Sequence, residues 1–305
     1  MGAAVHRPRG TGRQLTDRPR RTVVRVTSTP GDGPRTDRWL HLDGTTNTRD
    51  LGGLPTADGA RTLPGRILRS DNLQDLSEDD VARLVGDLGL TDVIDLRSSA
   101  EVLKEGRGPL RAVARVTHRH FGLLPERGEY TDVFAADDVE LPELPEDWTE
   151  SLLPRQTGSD DDGEPGAVRS YLGYLEHRPE NVVGALRALA AAEGAAVVHC
   201  AAGKDRTGVV VAFALAVAGV PDEAIVADYA QTAEVIEALM GRLAASPTYA
   251  QDAFRRQYSE HAPRAETMAR VLALLHERSG GPAGWLCAHG FDAAEQATLR
   301  ARLRS

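Results

Sequence analysis

Cysteine and lysine are nearly absent from this chain. Its 305 residues hold two of each: Cys200 and Cys287, Lys104 and Lys204. Two cysteines exclude a disulfide framework and fit a reducing compartment. Cys287, within Trp285-Leu286-Cys287-Ala288, reads as a small core residue, with a regulatory disulfide to Cys200 as the alternative. Long apolar runs are also missing. None has the roughly 20 residues that span a bilayer, so no integral membrane segment is expected. No apolar core of signal-peptide length appears near the first residue, so Sec export is not expected. By default the chain reads as cytoplasmic, with a non-Sec route out left open. Excess positive charge is lacking too: the net charge is −9, which gives no general attraction to nucleic acid or anionic membrane. There is no internal repeat. An apolar content of 41% supports a substantial core, in one large domain or two smaller ones.

Against this background one stretch stands out: His199-Cys200-Ala201-Ala202-Gly203-Lys204-Asp205-Arg206-Thr207-Gly208. The short apolar run Ala195–Val198 before it reads as a buried strand. The run Val209–Ala218 after it, apolar all round, reads as a buried helix ending at Gly219. A strand–loop–helix turn presents backbone N–H groups and the positive end of the helix dipole to an anion, and the same field stabilises a thiolate. Cys200 is then the candidate nucleophile. Arg206 offers a planar fork for two oxygens of a tetrahedral oxyanion. Ala201, Ala202, Gly203, Lys204 and Thr207 complete the anion-binding loop, with Thr207 available to hydrogen-bond the sulfur. The loop and Arg206 neutralise a phosphate on their own, so no metal and no cofactor is expected. The bland alternative, a tight turn around a buried cysteine, leaves Arg206 and the paired glycines unexplained.

This stretch resembles the signature of the protein-tyrosine-phosphatase superfamily, His-Cys-x5-Arg followed by Ser or Thr. The spelling Gly203-Lys204-Asp205-Arg206-Thr207-Gly208 is similar to a narrower group, the bacterial tyrosine/serine protein phosphatase family of the MptpB type. Further likeness extends over about residues 40–304. Asn47-Thr48-Arg49-Asp50-Leu51-Gly52-Gly53 resembles the family's second signature, with Thr48 where the family has an aromatic. Asp95-Leu96-Arg97-Ser98 and Asp228-Tyr229 also resemble family segments. The resemblance implies an α/β fold with a central, mostly parallel sheet flanked by helices, a helical lid insertion and a helical C-terminal extension. It implies a phosphatase domain over 39–305 that hydrolyses phosphotyrosine, with phosphoserine and phosphothreonine besides, through a phosphocysteine. Its substrate is then a phosphorylated protein. Phosphoinositides or small phosphomonoesters are the alternative, and Lys204 at the pocket rim would favour them. A phosphate-binding module without turnover is the remaining reading. The oligomeric state is left open.

The rest of the chain supports that architecture. Residues 1–38 carry nine arginines and three aspartates and read as a disordered basic arm. Arg49 and Asp50 form either a scaffold ion pair or a contact to the phosphate loop. Strands are expected over 66–69, 90–97 and 112–121, with Ser77 capping the helix after the first. His118 and His120 share one face of the third strand and read as edge-strand polar residues rather than metal ligands. Residues 122–165 turn to Pro, Gly and acids and read as a mobile lid. Helices follow around 168–175, 182–190, 221–229, 231–245, 263–278 and 292–304, with Pro221 at the first helical position. Strands alternating with helices, then a helical tail, make one α/β domain.

The leaving oxygen needs a proton. Superfamily members that place the acid on a separate loop do so in a Trp-Pro-Asp segment, which is absent; Asp147-Trp148 has two of those residues in the wrong order. The resemblance points to the in-loop Asp205 as general acid. Asp95 is the other candidate, because ligands of open α/β sheets gather at the carboxyl ends of strands. Asp95 and Arg97 are equally readable as a salt bridge that positions the loop.

Overall fold

The computed structural model describes residues 1–2, 38–124, 164–250 and 261–304. The expected basic arm, the greater part of the expected lid and Asp147-Trp148 lie outside these residues. The chain divides into two compact units, Met1–Pro34 and Arg35–Ser305, and the description below concerns the second.

Among the described residues five strands form one sheet: β1 (Arg49–Asp50), β2 (Ile67–Ser70), β3 (Leu90–Asp95), β4 (Thr117–His120) and β5 (Ala195–His199), in the order β1-β2-β5-β3-β4. Only β1 runs antiparallel; β2, β5, β3 and β4 are mutually parallel. The sequence pattern around β1 reads as an ordered loop. The two-residue strand forms there because Arg49 and Asp50 pair with Arg69 and Leu68. The third strand is shorter than expected: a 3₁₀ turn takes Pro109–Ala112 and a further turn, closed by Val116 N on Val113 O at 2.9 Å, delays its start to Thr117. His118 and His120 do lie on the edge strand.

The register decides where the site falls. Ser70 of β2 and Asp95 of β3 both sit level with His199 of β5, and His120 of β4 is level with Asp95. All four parallel strands therefore end together, and Cys200 is the first residue beyond the central one. That is the crevice in which open α/β sheets take their ligands.

Alternation along β5 builds two cores. Ala196 and Val198 join Ile67, Ile94 and the helices α4 (Pro179–Ala191) and α5 (Asp205–Val217) on one face. Ala195 and Val197 join Leu68, Val93 and Leu84 on the other. A strand covered on both faces has to be continuously apolar, and Ala195–His199 is buried throughout. The helix α5 is buried on nearly every side, as its composition requires. Its chain turns away at Gly219, with φ of 83°.

The other helices follow from local signals. α1 (Glu78–Ala82) starts at Ser77, whose Oγ accepts from Asp80 N at 3.1 Å while Asp80 Oδ2 accepts from Ser77 N at 3.0 Å. It passes into a π turn over Arg83–Asp87. α2 (Ser99–Glu105) has the same reciprocal cap, between Ser98 and Glu101. Beyond α3 (Gly166–His177), α4 and α5 come α6 (Asp222–Ala230), α7 (Ile236–Ala245), α8 (Ala265–Ser279), α9 (Pro282–Ala288) and α10 (Ala293–Arg304). Pro221 is the N-cap of α6 rather than its first helical residue. Residues 231–235, expected as helix, form a 3₁₀ turn before α7. Cys287 is exposed on α9 and Cys200 is buried; both thiols are free, so Cys287 is not a core residue and no disulfide joins the two. No helix among the described residues is long and apolar enough to cross a membrane.

Candidate active site

Three consecutive peptide carbonyls of the loop after β5 are held from outside it. Ala201 O accepts from Asn72 N at 3.0 Å, Ala202 O from Asn47 Nδ2 at 2.8 Å, and Gly203 O from Arg69 Nη2 at 2.7 Å. In a trans peptide the N–H points opposite to the C=O, and no cis bond occurs among the described residues. The N–H groups of Ala202, Gly203 and Lys204 are thereby turned toward the concave side, a nest for an anion at the start of α5. Gly203 makes this possible. Its φ is +63°, and a Cβ there would lie 2.4 Å from Ser70 O. The small side chains of Ala201 and Ala202 pack against Leu239, Met240, Leu243 and Tyr249, so the segment around α7 covers this part of the loop.

Arg206 is buried in the first turn of α5 and is held by Glu101 of α2. Nη1 donates to Oε2 at 2.5 Å and Nη2 to Oε1 at 2.9 Å. Oε2 also accepts from Ser98 N at 2.7 Å. Burial opposes the charge on Glu101, but the guanidinium outweighs it and holds this carboxyl below the usual range. Arg206 is in turn raised well above an ordinary arginine. The fork is thus fixed in plane before any ligand arrives.

Asp95 lies below the loop. Its oxygens accept from Arg97 Nε at 2.9 Å, from Arg97 Nη2 at 2.6 Å and from the Arg97 amide at 3.0 Å, and His199 Nε2 is 3.6 Å from Oδ2. Burial works against the charge, yet Arg97 keeps Asp95 ionised far below the carboxylate range. A carboxylate so held is a poor proton donor. Arg97 also donates to Asn72 Oδ1 at 3.0 Å, and Asn72 N holds the Ala201 carbonyl. Of the two sequence readings for Asp95 and Arg97, the geometry favours the salt bridge that positions the loop.

Asp205 opens α5 and is 3% exposed. Tyr171 of α3 donates its hydroxyl to Oδ1, and Lys204 Nζ lies 3.4 Å from Oδ2. Lys204 does not stand at an open rim. It is 1% exposed, and its ammonium donates to His261 O at 2.6 Å. Thr207 Oγ1 is buried and has no hydrogen-bond partner among the described residues, so its expected bond to the sulfur is not made here.

The second signature supports the loop from outside. Asn47 holds Ala202, as above. Arg49 does not pair with Asp50. Its Nε donates to Asp228 Oδ1 at 3.3 Å and its Nη2 to Asp228 O at 2.6 Å, while Asp50 accepts from Gly52 N at 2.8 Å and Gly65 N at 2.7 Å. Asp228 also takes Arg38 Nη1 at 2.8 Å and Arg69 Nη1 at 2.6 Å. Burial opposes its charge, but Arg49 and Arg69 hold it well below the usual range. Burial, with Arg69 alongside, lowers Arg49 to about 9.

Sequence reasoning brought together Cys200, Arg206, Asp205, Lys204 and Thr207. It passed over Glu101, Asn47 as the holder of Ala202, Arg69 and Tyr171. Only Glu101 left a local signal, the Ser98-x-x-Glu101 capping box. No group of three or more metal-binding side chains occurs among the described residues.

A buried cysteine just past the carboxyl end of a central parallel strand, with a buried arginine fork in the next helical turn, is an arrangement suited to a phosphatase. The chain belongs to the tyrosine phosphatase family, whose pattern spans residues 40–305, and it is a protein-tyrosine phosphatase. It is 36% identical over 217 residues to the triple specificity protein phosphatase PtpB of Mycobacterium tuberculosis, covering 66% of this chain and 72% of that one. It is 34% identical over 140 residues to a tyrosine-protein phosphatase of Nostoc commune, covering 44% of this chain and 48% of the relative, about half its length.

Proposed function

We propose that this phosphatase acts on phosphotyrosine and on phosphoserine and phosphothreonine in proteins, through a phosphocysteine at Cys200. The outward anchoring of the Ala201, Ala202 and Gly203 carbonyls carries this reading, because it prepares N–H donors over the cysteine at no cost during the reaction. The Cys200 thiolate forms the S–P bond as the P–O bond breaks. Arg206 and the amides of Ala202, Gly203 and Lys204 hold the equatorial oxygens. Asp205 gives its proton to the departing oxygen and, in the second step, takes one from the attacking water. The unpartnered hydroxyl of Thr207 is the donor left over for the departing sulfur. Broad specificity is supported by likeness to a relative named for triple specificity. Phosphoinositides are the rival substrates. The buried ammonium of Lys204, already engaged by a main-chain carbonyl, offers no exposed cation to an inositol headgroup.

Acid quench of turnover with labelled substrate should recover phosphate on Cys200, and Cys200→Ser should bind phosphate without hydrolysing p-nitrophenyl phosphate. Label on another residue overturns the nucleophile. A kcat/KM for a phosphoinositide above those for phosphotyrosine and phosphoserine peptides overturns the protein preference.

A further inference from the structure

We propose that Tyr171 is a positioning residue for proton transfer, holding Asp205 at the end of a buried pair of phenols whose second member is Tyr229. The proposal rests on the reading of Asp205 as general acid.

Tyr171 lies on α3 and Tyr229 on α6, and both are almost wholly buried. Their hydroxyls are 2.7 Å apart, and Tyr171 donates to Asp205 Oδ1. A phenol has one proton to give. With that of Tyr171 committed to Asp205, the bond between the phenols is made by Tyr229 donating to Tyr171. The rings are fixed as well: Tyr171 stacks on Tyr174 at 5.9 Å and meets Tyr229 edge-on at 6.2 Å. Gly208, inside the signature, makes room for this arrangement, since a Cβ there would stand 3.0 Å from Tyr229 Cδ2. Burial, then the charge of Asp205, pushes the Tyr171 phenol well above its usual range, so it remains a donor at any working pH.

With Oδ1 accepting from Tyr171, the proton Asp205 delivers is assigned to Oδ2, the oxygen that Lys204 Nζ approaches at 3.4 Å. It passes from Oδ2 to the leaving oxygen as the P–O bond breaks, and the carboxylate that remains accepts from Tyr171. A carboxyl free to rotate would offer its proton from either oxygen and in several directions. The hydroxyl of Tyr171 removes that freedom, and small errors of placement cost large factors in rate.

The dependence on leaving group tests this. A misplaced acid slows departure of a poor leaving group and spares a good one. Tyr171→Phe in the full chain should lose about 10-fold in kcat on phenyl phosphate and less than about 3-fold on p-nitrophenyl phosphate, with KM and vanadate affinity unchanged. Asp205→Asn, assayed alongside, should show the same selectivity with a larger loss. Uniform loss across the two substrates, or none, in Tyr171→Phe while Asp205→Asn is selective overturns the positioning role alone. A flat profile in Asp205→Asn overturns the general-acid reading and the proposal with it. If Tyr171→Phe does not fold, Tyr229→Phe removes only the outer phenol; it should show the same selectivity in weaker form, and uniform loss, or none, in that variant overturns the proposal.

Discussion

Arg206 and Glu101 meet through two parallel hydrogen bonds, 2.5 and 2.9 Å long, although 105 positions separate them in the chain. Glu101 leaves the arginine no rotamer to search when the phosphoryl group arrives. Glu101→Gln keeps the shape and removes the charge. It should lower kcat on a phosphotyrosine peptide by about 10–100-fold, roughly 1.4–3 kcal/mol of lost transition-state stabilisation. Arg206→Lys keeps the charge and removes the fork, and should lose about 10²–10³-fold. Steady-state kinetics decide both, and a Glu101→Gln enzyme with wild-type kcat would refute the clamp.

Arg69 ties Asp228 to the loop, with one guanidinium nitrogen on the carboxylate and the other on Gly203 O. Asp228→Asn leaves Arg38, Arg49 and Arg69 without their shared counter-charge. Breaking one partner out of a buried ionic group costs about 3–5 kcal/mol. Urea unfolding should show a loss of that order, and activity should fall with it, because the anchor of Gly203 loosens.

Gly203→Ala forces a Cβ to within 2.4 Å of the Ser70 carbonyl at a φ of +63°, whereas Gly53 has a similar φ of +81° and open space around it. Both substitutions carry the backbone penalty of the left-handed region, about 1–2 kcal/mol. Only Gly203→Ala should also abolish vanadate binding. Equal behaviour of the two variants would show that the close approach to Ser70 is unimportant.

Stability should depend on pH in two stages. His199 is buried neutral; burial lowers it to about 4, although Asp95 opposes this. The unfolded chain therefore binds a proton that the folded one refuses between about pH 6.5 and 4, and stability falls as pH falls through that window. Asp95, Glu101 and Asp228 have folded values depressed below the carboxylate range. Their contribution is complete above the unfolded value near 4 and is lost as pH falls further. Urea midpoints measured from pH 7.5 down to 3 should decline in both ranges, and His199→Gln should flatten the upper one.

The motif and its setting were legible because each signal is local. An apolar run, a small-residue turn and an all-apolar helix lie within Ala195–Ala218, and each backbone preference follows from its own residues. The cap at Ser77 is read from its own sequence neighbours. Cys287 was misjudged because an apolar neighbourhood in sequence does not say which side of a short helix faces out. Arg49 and Asp50 invited pairing as neighbours, but successive residues of a strand point to opposite faces, and each found a partner elsewhere.

Sequence alone singled out the candidate groups, a sulfur and a guanidinium, and set them at the mouth of one buried helix. Only tertiary structure decided what holds them. Asn47 reaches Ala202 across 155 positions, Arg69 reaches Gly203 across 134, and Glu101 reaches Arg206 across 105. Those contacts exist because the parallel strands end in register at one edge of the sheet, and no spacing within a single segment encodes which strands become neighbours.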